Sequence, residues 1–229
     1  MRTILITGFG RFPGAPVNPS GLVVARLARR RRPAFAGTRR VAHVFATRYD
    51  AVDSELPALL KREKPDIVVM FGVAARARAV RVEQRARNRI ALFPDAGGYR
   101  PAALTIAPQR DAMRNPLPVA RLVNAARTAG VAAASSRNAG TYLCNYVYWR
   151  ALEAAARPDG PNMVIFIHVP PVALKGVPKK PFKRPLKRFL TEPSDRRRTR
   201  KRRALRLNDL VRAGEAIVFA MMSLASQPR

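Results

Sequence analysis

The chain holds one cysteine and two histidines, so chemistry that needs a thiol or an imidazole has very few places to happen. Cys144 lies in "NAGTYLCNYVYW", residues 138–149, together with the only tryptophan. This stretch reads as a flexible "NAG", then Thr141 as a helix N-cap, then an apolar helix. A cysteine in the first helical turn meets backbone N–H groups without intrahelical acceptors and the positive end of the helix dipole, and both favour the nucleophilic thiolate. His168 falls near the end of the apolar run "VIFIHV", and a histidine within reach of a cysteine can form the ion pair that activates it. Glu83 is the only acid between Asp66 and Asp95 and stands among Arg81, Arg85, Arg87 and Arg89, whose field is expected to keep it ionised. An ionised carboxylate can orient an imidazole. His43, in the middle of "VAHVFA", is expected to be structural. Taken alone, a single cysteine is more often a small core residue than a nucleophile, and spacing along the chain does not join Cys144, His168 and Glu83.

Other chemistries fit less well. "ILITGFGRFPG" puts glycines after a first strand, as a dinucleotide phosphate turn requires. Its spacing, Gly8, Gly10 and Gly14, differs from G-x-G-x-x-G, the following helix begins only at Pro19, and no acid precedes Asp50 to take a ribose hydroxyl. Two histidines and one cysteine offer no clustered metal-ligand spacing, so neither a metal nor any other cofactor is expected. The G-x-S-x-G elbow of serine hydrolases is absent.

The elements that must position these residues alternate. "TILIT" reads as a buried strand, and "NPSGLVVARLARRR" as a helix with Asn18 as N-cap and Pro19 at its first position. "RRVAHVFA" (39–46) and "DIVVMFG" (66–72) read as strands on either side of the amphipathic helix "YDAVDSELPALLKRE". Residues 73–115 look long and irregular. Then come the helix "PLPVARLVNAARTAG", the strand "VAAASS", the cysteine helix, the strand "NMVIFIHV" (162–169) and a closing helix from "LRLNDL" onward. Continuous apolar strands alternating with helices predict a three-layer α/β fold: a mostly parallel sheet covered on both faces, with its active site at the carboxyl ends of the strands.

At 229 residues and 48% hydrophobic, the chain suits one domain spanning 1–229. A single cysteine excludes an intramolecular disulfide, and the opening "MRTILITGFGRF" is too soon interrupted for a signal peptide or a membrane span, so a cytoplasmic location is expected. The formal charge of +30 is uneven. From Lys175 to Arg203 basic residues crowd together against only Glu192 and Asp195, in an interval, 171–203, that breaks the α/β pattern and reads as a basic loop insertion. Such a field attracts polyanions. With no aromatics beyond Phe182 and Phe189, stacking on single strands is not expected there.

Together the blocks resemble the pyroglutamyl peptidase I family, the pyrrolidone-carboxylate peptidases. "ILITGFGRFPGAPVNPS" is similar to the family's opening strand and its phenylalanine-bearing loop. "KPDIVVMFGVA" with Glu83 and Asn88 resembles its glutamate segment, "NAGTYLCNYVYW" its nucleophile block, "FIHVP" its histidine block, and "LNDLVRAGEAI" its last helix. The resemblance implies a cysteine omega-peptidase that removes an N-terminal pyroglutamyl residue from small peptides. It implies Cys144 as nucleophile, His168 as base and then acid, Glu83 as the acidic catalytic residue, and Phe9, Phe12 and Asn18 at the substrate. It also implies a homo-oligomer, a tetramer in the family. Departures stand beside it: the family's Gly-Gly-Arg is here Ala75-Arg76-Ala77, the loop after Glu83 is "EQRARNRIALFPDAGG", one residue short, and Leu92 or Phe93 falls where the family has an arginine. These leave two alternatives, a diverged member with weak or altered amidase activity and a polyanion-binding protein that uses residues 175–203.

Overall fold

The computed structural model describes residues 1–12, 17–108, 111–173 and 203–226. Gly14 and nearly all of the basic interval 171–203 therefore lie outside the described residues. The strands are β1 (Arg2–Phe9), β2 (Thr38–Phe45), β3 (Ile67–Val73), β4 (Val80–Glu83), β5 (Arg85–Arg87), β6 (Ala112–Arg114), β7 (Ala133–Ser136) and β8 (Met163–Val169). The helices are α1 (Pro19–Ala28), α2 (Tyr49–Glu63), α3 (Val119–Thr128), α4 (Leu143–Ala155) and α5 (Leu207–Ala225).

Six strands form one sheet in the order β2-β1-β3-β8-β4-β7. Its first four strands are parallel, while β4 runs antiparallel to β8 and parallel to β7. The central strands are apolar along their length because both faces are covered. Ile4, Ile6, Val69 and Ile165 bury one face against α1, α3 and α5; Leu5, Val68, Met70 and Phe166 bury the other against α2 and α4. This is the expected three-layer α/β architecture.

Local chemistry starts the first helix. Asn18 Oδ1 accepts from the Ser20 N–H at 3.1 Å, and Pro19, which has no N–H to satisfy, takes the first helical position. Gly8 is present for packing. A Cβ there would sit 2.9 Å from Val24 and 3.0 Å from the Ser20 backbone, so the turn presses β1 against α1 rather than leaving room for a phosphate.

Two expectations need correction. Residues 73–115 are not wholly irregular, since β4, β5 and β6 lie within them. In β4, "VRVE", Val80 and Val82 enter the core while Arg81 and Glu83 take the opposite face, a two-residue alternation that its arginine neighbours obscured. Thr141 is not the N-cap of α4. Tyr142 holds that position without a side-chain capping bond, because Asn138 Oδ1 bonds the Gly140 N–H and Gly140, at φ 87°, turns the chain into the helix one residue later.

Candidate active site

Cys144 is the second residue of α4, so its own N–H and those of its neighbours point out of the helix without intrahelical acceptors. Beneath the sulfur lies Gly72 of β3. A Cβ there would stand 2.6 Å from Cys144 Sγ and 2.7 Å from the Phe166 ring, so only glycine lets the helix start settle this close to the sheet. The position of the helix is fixed by Asn145, which is fully buried. Its Oδ1 accepts from the Arg87 N–H at 2.8 Å, and its Nδ2 donates to the carbonyls of Arg87 at 2.7 Å and Arg89 at 3.0 Å. The nucleophile helix is thereby pinned to the segment that follows Glu83.

His168 is the penultimate residue of β8, at the carboxyl end of the parallel strands, where groups of an α/β site gather. Its ring bonds Cys144 on one side and Glu83 on the other, with Nδ1 2.8 Å from Glu83 Oε1. Glu83 is wholly buried, and its second oxygen, Oε2, has no hydrogen-bond partner, so its one side-chain bond is to the imidazole. The flanking arginines do not hold it: Arg85 donates to the Arg137 carbonyl, and no described arginine forms an ion pair with Glu83. A buried, anionic neighbour orients the ring and stabilises its protonated form. Burial alone would push the His168 pKa down, but the bonds to Cys144 and Glu83 outweigh it and raise it to about 10. The ring is thus poised as an imidazolium facing a sulfur at a helix N-terminus, an arrangement that can serve nucleophilic attack followed by proton donation.

Two cavities open in this region. A notch of about 30 Å³ is lined by Cys144 and His168 together with Ala74, Arg81, Asn138 and Gly140. A larger cavity of about 310 Å³ is walled by Tyr49, Ile90, Asp95, Tyr99 and Tyr146, and neither Cys144 nor His168 lines it. Asp95 organises its rim, accepting from the N–H groups of Tyr49, Gly97 and Tyr99. Asn88 does the same for the loop after β5, bonding the Ile106 and Ala107 N–H groups and the Ala107 carbonyl.

The structure brings Cys144, His168 and Glu83 together. Phe9, Phe12 and Asn18 do not line the notch. Phe9 and Phe12 are buried, with Phe9 at the end of β1 and 6.0 Å from Phe45 between ring centroids. Asn18 has its amide engaged by Ser20 and the Gly10 carbonyl. His43 sits on the edge strand with Nε2 2.6 Å from Glu55 Oε2, a structural partner that fits the expectation for it. Sequence reasoning missed three residues of this region. Gly72 carried no signal beyond strand membership, Asn145 looked like one more helix residue, and Arg81 was detectable only through the alternation of "VRVE". Among the described residues, no group of three His, Cys, Asp or Glu is placed to hold a metal ion, and no helix is long and apolar enough to cross a membrane.

Comparison with known proteins gives one consistent outcome. A model of the pyroglutamyl peptidase family matches residues 2–185. The chain is 37% identical over 174 residues to a pyrrolidone-carboxylate peptidase of Cupriavidus pinatubonensis, covering 74% of this chain and 79% of that one. It is 36% identical over 171 residues to one of Thermococcus onnurineus, covering 73% and 82%. The solved pyrrolidone carboxyl peptidase of Thermococcus litoralis superposes with a TM-score of 0.81 at 27% identity, over 100% of this chain and 97% of that one. With the nucleophile helix, the histidine strand and the sheet order already in place, these matches lead to one conclusion: the chain belongs to the pyroglutamyl peptidase family.

Proposed function

We propose that this protein is a cysteine-type peptidase that hydrolyses the amide bond after an N-terminal pyroglutamyl residue, with Cys144, His168 and Glu83 as its catalytic group. The observation that carries this reading is the buried line of contacts from Glu83 through His168 to Cys144 at the start of α4, in a chain of this family. The Cys144 thiolate attacks the pyroglutamyl carbonyl carbon, forming a C–S bond and a tetrahedral oxyanion. Uncommitted N–H groups at the start of α4 are candidate donors for that oxyanion. The C–N bond then breaks as His168 gives its proton to the departing amine. Neutral His168 next takes a proton from water, whose oxygen attacks the thioester carbonyl. The C–S bond breaks, free pyroglutamate leaves, and the thiolate and imidazolium are restored. Glu83, bonded to His168 Nδ1, holds the ring in register throughout.

Phe9, Phe12 and Asn18 are proposed to bind the pyroglutamyl ring, the two phenylalanines suiting a neutral lactam that needs no charged partner. A thiolate nucleophile works in a reducing compartment, and the proposed location is the cytoplasm. One catalytic domain and a homo-oligomer complete the proposal, the latter testable by light scattering. The net charge of +30 favours salt-sensitive contact with polyanions through residues 175–203, which titration with and without that segment tests. The activity itself is tested with a fluorogenic pyroglutamyl amide. The purified protein should release the fluorophore and Cys144→Ala should release none; failure of the wild-type protein to do so overturns the reading.

A further inference from the structure

Arg81 lines the same notch as Cys144 and His168, and nothing in the catalytic scheme uses it. It stands directly across the antiparallel β4–β8 pair from His168. Opposed residues of such a pair project from the same face, with Cβ atoms about 5 Å apart. Glu83, two residues further along β4, shares that face, but its bond goes to His168. Among the described residues Arg81 therefore forms no ion pair and no side-chain hydrogen bond, while bordering a nucleophile. An arginine kept at a reaction centre without a counter-ion is suited to an anion that arrives with the substrate.

The geometry narrows what that anion is. His168 is the proton donor for the departing amine, so the leaving group lies on the His168 side of Cys144, which is the side that Arg81 occupies. In a free amino acid the carboxylate is attached to the carbon that bears that amine. A group that receives its proton from His168 thus presents its carboxylate to the residue beside His168. Arg81 and His168 border the same notch beside Cys144, so one leaving group can meet both. Exposed Arg76 and Arg78 on the β3–β4 connection add positive charge along the approach.

We infer that Arg81 is a specificity-determining residue whose guanidinium pairs with the α-carboxylate of the leaving amino acid. The preferred substrate class is then pyroglutamyl amino acids with a free carboxylate, ahead of longer or amidated peptides. This deepens the proposed peptidase reading and rests on it. Arg81 takes no part in bond making.

The test compares pyroglutamyl-alanine with pyroglutamyl-alanine amide as substrates of the wild-type protein, Arg81→Gln and Arg81→Lys. The wild type should favour the free acid. Arg81→Gln should lower kcat/KM for the acid roughly 10- to 100-fold, leave the amide within about twofold, and so erase the preference, while Arg81→Lys retains part of it. An equal loss on both substrates would assign Arg81 to the chemistry or to the fold, and no loss on either would leave it idle; both outcomes overturn the inference. If the wild type cleaves neither compound, the peptidase reading fails separately. The inference is then decided by calorimetric binding of the two compounds to Cys144→Ser. Tighter binding of the acid that disappears with Arg81→Gln supports it, and equal binding refutes it.

Discussion

Two histidine–carboxylate pairs in this molecule look alike on paper and differ in nearly everything else. His43 and Glu55 meet at 2.6 Å, His168 and Glu83 at 2.8 Å. The first pair joins an edge strand to α2 with both side chains partly in solvent, 27% and 39% exposed. The second lies in the interior, 8% and 0% exposed, at the end of a central strand. Distance therefore does not separate a brace from a reaction centre. Water screens the His43 pair, so it contributes little beyond local geometry. The buried pair is unscreened and has a third member, Cys144, whose bond to His168 joins with that of Glu83 to hold the imidazole pKa at about 10 against the pull of burial.

Glu83→Gln should break this comparison most sharply. It keeps the shape but removes the charge that orients His168, and kcat is expected to fall roughly 10²- to 10⁴-fold, with secondary structure retained by circular dichroism. The same variant sharpens the electrostatic account. Wild-type kcat/KM should persist on the alkaline side until about pH 10, where the proton donor is lost, and in Glu83→Gln that limb should move to lower pH. The linked stability has the same sign. The folded His168 pKa lies above its ordinary 6.5, so its stabilisation is complete below about pH 6.5 and is lost as pH rises through about 10. The melting temperature of the wild type should therefore decline more steeply over that range than that of Glu83→Gln.

Gly72→Ala comes next. Its Cβ would intrude to 2.6 Å from the sulfur, and a displacement of about 1 Å is expected to cost roughly a hundredfold in kcat, with about 1–3 kcal/mol of overpacking visible in urea melts. Glu55→Gln should have the smallest effect. Stability should change by less than about 1 kcal/mol and kcat/KM should stay within twofold. A loss comparable to that of Glu83→Gln would overturn the distinction between the two pairs.

Much of this arrangement is legible in the amino-acid sequence. Apolar strands such as "DIVVMFG" are recognisable because a sheet covered on both faces leaves no polar side to interrupt the run. Asn18-Pro19 marked the start of α1 because capping is local chemistry between neighbours. The scarcity of thiol and imidazole reduces the chemical candidates to a handful, and the resemblance of five blocks to one family points to the reaction class. Less was legible in 73–115, where arginines interleave with valines and the strand carrying Glu83 is four residues long. The N-cap of α4 falls one residue later than the local pattern suggests because Gly140, at positive φ, sets where the chain turns.

The class of fold, the helix that carries Cys144 and the identity of the groups able to react are written in local sequence, since each follows from periodicity, capping and composition within a short window. Long-range packing sets the rest: β4 enters the sheet against the direction of β8, placing Arg81 opposite His168 and bringing Glu83, 85 positions away along the chain, to its ring. It also decided that Gly72 makes room beneath the sulfur and that Arg81 faces the notch without a partner. These are contacts between distant segments, governed by how two faces of one sheet pack, and no local stretch of sequence encodes them.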